Sequence, residues 1–186
     1  DDFHWNYGVA LTATGNYKAG QETLLLVRSS HYRTEVCYLM CLSRCYIMNN
    51  QPQNAWGLYN AIRSQQQQQL MHTNHSDDCF QLLQLIANDC YRMGHFLIAA
   101  RAFCALADDA DIDEEENYVW EGLRGACVGY FQKVVALKER EGICGKDCRE
   151  NLKEVVEIME GRERNPQLEF IIDVIRKWAK ENDFRI

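Results

Sequence analysis

The 186-residue chain carries 27 acidic and 20 basic side chains, for a formal net charge of -7. That balance excludes nucleic acid as the expected partner, because phosphate binding needs a basic stripe and none is visible. No apolar run approaches the length needed to cross a bilayer, and no charged-then-apolar signal segment opens the chain. The length suits one domain with a continuous core. The start at Asp1-Asp2-Phe3, without an initiator Met, is expected of a piece of a longer protein. Only two prolines, Pro52 and Pro166, interrupt long helical stretches, so the expected class is all-α.

The first predicted element is a helical hairpin from about Phe3 to Val27. Trp5, Tyr7, Gly8, Ala10 and Leu11 fill its first helix, and Gly15 supplies a positive-φ cap. Leu24, Leu25 and Val27 are expected to face inward from the second helix, with Gly20 at the small position where the helices approach. A second hairpin covers roughly Thr34 to Arg63. Leu39, Leu42, Ser43 and Tyr46 mark its first helix, and Ala55 and Tyr59 its second. Pro52 is tolerated there in an opening helical turn.

Ser64, the glutamines Gln65 to Gln69 and a polar stretch through Asp78 come next. They read as an inserted Gln-rich surface loop over 64–78, since a polar tract has little to bury. The third hairpin, about Cys79 to Leu106, places Phe80, Leu83, Ile86, Ala87 and Cys90 on one face and closes with Ala99 and Phe103. The acidic run from Asp108 to Glu116 is expected to be a solvated linker over 108–117.

The three hairpins share one register. Gly15-Asn16-Tyr17, Asn50-Gln51-Pro52 and Gly94-His95-Phe96 each follow an apolar-periodic helix. A small residue stands three positions later (Gly20, Ala55, Ala99), and a bulky one four further on (Leu24, Tyr59, Phe103). This is the tetratricopeptide (TPR) pattern of antiparallel helix pairs closed by a tight turn. Residues 1–107 therefore read as three TPR-like hairpins of an α-solenoid. Ala55 and Ala99 stand 44 apart against a repeat of about 34, which leaves about ten inserted residues.

Residues 118–186 depart from the repeat and read as helices that cap the solenoid. Gly122, Gly125, Ala126 and Gly129 make a strip nearly free of side chains, against which another helix can lie closely. Leu152, Val155, Val156 and Met159 mark an amphipathic helix. Pro166 opens a last one, with Leu168, Ile171, Ile172, Ile175 and Trp178 inward.

Nine cysteines, with Cys37, Cys41 and Cys45 along one helix face, read as free thiols in a reducing compartment. Gly122 to Gly129 lacks the ending of a phosphate loop and follows no strand. His72, His75 and Cys79, or Cys144 and Cys148, form no recognised zinc pattern. No active site is visible, and no cofactor or metal is expected. The candidate residues instead line the concave face made by the first helix of each TPR pair. They are Arg44 in the second hairpin, and Asn88, Tyr91 and Arg92 in the third. Arginine and asparagine in such a groove can hold a peptide carboxylate or backbone.

Four strings carry a closer resemblance. They are Phe3 to Tyr17 (FHWNYGVALTATGNY), Leu82 to Tyr91 (LLQLIANDCY), Trp120 to Gly122 (WEG) with Arg124 to Gly129 (RGACVG), and Lys177 to Asn182 (KWAKEN). Together they resemble, in collinear order, the C-terminal part of the tetratricopeptide repeat protein 26 (DYF-13) family, the 56-kDa TPR subunits of the intraflagellar transport B complex. The Gln insertion, the acidic linker and Glu139 to Asp147 depart from the family pattern. The resemblance implies a non-catalytic scaffold and cargo adaptor of the cilium or flagellum and basal body region. Such a subunit would dock onto other B-complex subunits, the 46-kDa subunit first, and help carry axonemal motility cargo. The family supplies no site residues to carry over. Two other readings are a general TPR adaptor for peptide tails unrelated to cilia, and a thiol- or metal-dependent enzyme.

Overall fold

The computed structural model of the chain describes residues 1–68, 75–109, 117–142, 145–161 and 166–184. They are helical throughout apart from short turns, with no strand among the described residues. The chain divides into two compact units, Asp1–Met93 and Gly94–Ile186. The division, between Met93 and Gly94, falls inside the expected third hairpin.

The first unit holds α1 (Asp2–Ala13), α2 (Tyr17–Leu24), α3 (Ser30–Thr34), α4 (Val36–Met48), α5 (Pro52–Gln68) and α6 (His75–Arg92). α1 packs on α2 and α4 on α5, and α4 also lies against α2 and α6. The hairpin turns follow the expected chemistry. Gly15 has φ +80; its N–H reaches Thr12 O at 3.1 Å, and Asn16 N–H reaches Leu11 O at 2.9 Å. Asn50 adopts φ 60, with bonds from Asn50 N–H to Ile47 O and from Gln51 N–H to Tyr46 O. Both turns satisfy the last carbonyls of the preceding helix in the same Schellman geometry.

Leu24, Tyr38, Leu42, Cys45, Ile47 and Tyr59 are almost fully buried in this unit. A Cβ at Gly20 would stand 3.0 Å from Thr12 Oγ1 and 3.2 Å from Cys45 Sγ, so the missing side chain is what admits α1 and α4. Leu25 does not face inward: it is 51% exposed at the C-cap of α2, beside the buried Leu24. Val27 returns to the core.

The expected loop over 64–78 is helical at both ends. α5 continues through Gln68 and α6 begins at His75, while residues 69–74 lie outside the described residues. Glutamine is an adequate helix former, and no glycine or proline stops α5 at Arg63. Most of the expected linker, residues 110–116, also lies outside the described residues, with Asp108 and Asp109 in the helix before it.

The second unit holds α7 (Phe96–Asp109), α8 (Asn117–Glu141), α9 (Lys146–Glu160) and α10 (Pro166–Glu181). α7 packs on α8 and α9 of this unit, which is why the unit begins at Gly94. The glycine strip of α8 receives aromatic rings from α7. A Cβ at Gly122 would lie 2.5 Å from the Phe103 ring, and one at Gly129 would lie 2.8 Å from the Phe96 ring. Phe96 and Phe103 are two turns apart, as are Gly122 and Gly129, so the antiparallel helices mesh ring into gap twice.

Arg101 on α7 donates Nε and Nη2 to the two carboxylate oxygens of Glu154 on α9, at 2.5 and 2.6 Å. Of the residues read as inward on α9 and α10, Leu152, Val155, Val156, Met159, Leu168, Ile172 and Ile175 are buried, whereas Ile171 and Trp178 are only part-buried and the unread Ala179 is buried. Phe184 folds back beneath Trp178. Its ring has Lys138 and Arg149 within 5.4 and 5.3 Å, and Lys138 Nζ donates to Asn182 O at 3.0 Å.

Candidate partner-binding cleft

The side chains that line one described cleft share one face of each of two neighbouring helices. On α4, Met40 and Arg44 are one turn apart and both point into it. On α6 the lining positions are Gln81, Gln84, Leu85, Asn88, Asp89 and Arg92, the spacing of one helical face. Because α4 packs directly on α6, the two faces converge on a cleft of about 450 Å³ within the first unit.

Asp89 is the organising group. It is only 4% exposed, and its Oδ2 accepts a hydrogen bond from Arg44 Nε at 2.8 Å. A buried carboxylate without a counter-charge is costly, and the guanidinium supplies both charge and donor. The hydrogen bond to Asp89 raises the Arg44 pKa further, although burial opposes it. The Arg44 side chain remains 44% exposed, so the rest of the guanidinium faces the cleft and solvent.

Asn88, one position before Asp89, is exposed; its Nδ2 donates to Gln84 O at 2.9 Å. Arg92 is exposed at the last turn of α6 and has no ion-pair or hydrogen-bond partner among the described residues. Met40 and Leu85 give the cleft its apolar part, Leu85 being 7% exposed.

Of the four sequence candidates, the structure brings Arg44, Asn88 and Arg92 together. Tyr91, 40% exposed, is not among the lining residues. Part of the Arg44 guanidinium is committed to Asp89. Asp89 itself went unread. The available signal was an acid next to the inward-facing positions Ile86, Ala87 and Cys90, where a buried carboxylate demands a cation from another helix.

The other candidates organise nothing comparable. No group of three or more His, Cys, Asp or Glu side chains is placed to hold a metal among the described residues, while His72 and Cys144 lie outside them. Cys37 is exposed, and Cys45, Cys90 and Cys127 are buried free thiols. Burial pushes the Cys90 and Cys127 thiols up to about 12. That shift is opposite to the one that activates a nucleophile. No described helix is long and apolar enough to cross a membrane.

The sequence model of one family, intraflagellar transport protein 56, matches residues 1–186. The chain belongs to the intraflagellar transport protein 56 family. The intraflagellar transport protein 56 homolog of Caenorhabditis elegans is 30% identical over all 186 residues. The chain spans 29% of the length of that relative. The family is one of intraflagellar transport proteins. The all-α, TPR-like architecture that the sequence resemblance implied is the one described above.

Proposed function

We propose that this part of the intraflagellar transport protein 56 family is a non-catalytic scaffold and adaptor of the transport B complex. It docks onto other B-complex subunits, the 46-kDa subunit first, and helps to carry axonemal motility cargo in the cilium or flagellum and basal body region. The observation that carries this reading is the α4–α6 cleft. Arg44 and Arg92 present donors beside Asn88 on a preorganised helical surface. Tyr91 adds an exposed aromatic on the same helix.

Binding at such a surface costs little ordering on the protein's side, because both helices are already held by the core. The buried thiols, held protonated, support the non-catalytic part of the reading. The test is a pull-down from a flagellated-cell lysate with the 186-residue chain as bait, read by mass spectrometry. Recovery of B-complex subunits supports docking through this segment, and axonemal cargo alone would make it the cargo end. A folded bait that recovers neither contradicts the proposal.

A further inference from the structure

We propose that the α4–α6 cleft binds an acidic segment of a partner protein, with carboxylate side chains reaching Arg44 and Arg92 and an apolar side chain seated on Met40 and Leu85. This deepens the docking role proposed above and rests on it.

The argument begins with the sign of the charge. Two guanidinium groups and one carboxylate line the cleft, and that carboxylate is buried and already bonded to Arg44. An arriving ligand therefore meets the outer N–H groups of Arg44 and the whole of Arg92. In a chain of net charge -7, a cationic concavity is a local reversal of the field, which selects and steers an anionic ligand.

Donor geometry narrows the ligand class. A guanidinium has five N–H donors in a rigid fork, and Arg44 commits its Nε to Asp89. The buried carboxylate thereby fixes the orientation of the fork before any ligand arrives. A planar, pre-oriented fork matches a carboxylate better than a single-point acceptor. Arg92, without a partner among the described residues, supplies a second cation one turn beyond Asn88. Asn88 uses one N–H on Gln84 O, which leaves its Oδ1 to accept a backbone N–H of an extended segment.

Size and apolar lining complete the description. About 450 Å³ holds a few side chains of a short segment. Met40 and Leu85 offer an adaptable apolar seat beside the cations. The fitting sequence therefore carries acids on either side of a leucine-like residue.

The test is fluorescence anisotropy on the whole 186-residue chain with a labelled peptide containing Glu-Glu-Leu-Glu-Glu. Its glutamine and lysine counterparts and an RNA oligomer of equal charge serve as competitors. The Glu peptide is expected to bind, more weakly as salt rises, and Arg92→Gln is expected to weaken it roughly tenfold with the melting temperature unchanged. Absence of Glu-peptide binding overturns the proposal, as does equal binding of the Gln peptide, indifference to Arg92→Gln, or tighter binding of the RNA. A lysate pull-down with Arg92→Glu as bait separates the two claims. Subunits recovered equally by wild type and Arg92→Glu overturn the cleft and leave the scaffold reading standing. Subunits recovered by neither overturn the scaffold reading, and the anisotropy alone then decides the cleft.

Discussion

Arg44 on α4 and Asp89 on α6, 45 positions apart in the chain, meet at 2.8 Å with the carboxylate buried and the guanidinium half in solvent. The pair ties two helices of the first unit together and sets the electrostatics of the cleft above it. The two partners are not equivalent. Arg44→Ala leaves a buried carboxylate without its counter-charge, whereas Asp89→Asn leaves an arginine that water can still reach. Arg44→Ala is expected to cost about 1–3 kcal/mol, with Asp89→Asn closer to about 1 kcal/mol. Urea denaturation of both single variants and the double variant measures this, and equal costs would show that burial of Asp89 is not the controlling term.

A second asymmetry lies in the α7–α8 interface. Gly122→Ala places a methyl 2.5 Å from the ring of Phe103, which is 3% exposed and has little room to move. Gly129→Ala presses instead on Phe96, which is only part-buried. Alanine gains about 1 kcal/mol in helix propensity at each site. Overpacking should outweigh that gain at Gly122, for a net loss of about 1–2 kcal/mol, and roughly cancel it at Gly129. Thermal melts followed by circular dichroism test the order, and Phe103→Leu should recover part of the loss caused by Gly122→Ala.

Ser43 on α4 is fully buried, and its hydroxyl has no hydrogen-bond partner among the described residues. An unsatisfied buried hydroxyl opposes folding, so Ser43→Ala is expected to stabilise the chain by about 1 kcal/mol. The denaturant midpoint should rise with an unchanged slope. A fall would mean that the hydroxyl makes a bond that the alanine removes.

The thiols divide by environment. Cys37 is exposed and should react first with a disulfide reagent at pH 8, while Cys90 and Cys127 should react only on unfolding. Burial raises these two from 9.0 to about 12, so the folded state holds their protons more tightly than the unfolded chain does. Their contribution to stability is complete below pH 9 and declines as pH rises from 9 towards 12. Cys90→Ala with Cys127→Ala should flatten that alkaline decline in a series of denaturation curves. An unchanged slope would place its cause elsewhere.

The contrast between core and cleft gives a further test. Leu83 is fully buried, so Leu83→Ala should cost about 2–5 kcal/mol. Arg92→Ala removes an exposed side chain without a described partner and should change stability by about 0.5 kcal/mol or less. A melting temperature for Arg92→Ala as low as that for Leu83→Ala would contradict the placing of these two faces of α6.

Much of the fold was legible because the turns impose local demands. Gly15, Asn50 and Gly94 all adopt positive φ, and each was marked by its residue type and by the small residue and bulky residue that follow. The faces of α9 and α10 were legible because their amphipathicity is strong and local. What the sequence did not reveal depends on partners distant in the chain. Periodicity showed that Phe103 is buried, but not that its ring fills the gap at Gly122. It placed Arg44 and Arg92 toward a groove, but not the pairing of Arg44 with Asp89. Leu25 and the first glutamines misled for a different reason: the end of a helix depends on a stop signal, and composition alone supplies none.

Hydrogen exchange on the chain alone, and after addition of B-complex subunits, tests the central claim most directly. The account predicts slowed exchange in α4 and α6, concentrated around Met40, Arg44, Asn88 and Arg92, and loss of that protection in Arg92→Glu. Protection that appears on other elements while α4 and α6 exchange as in the free chain would contradict it.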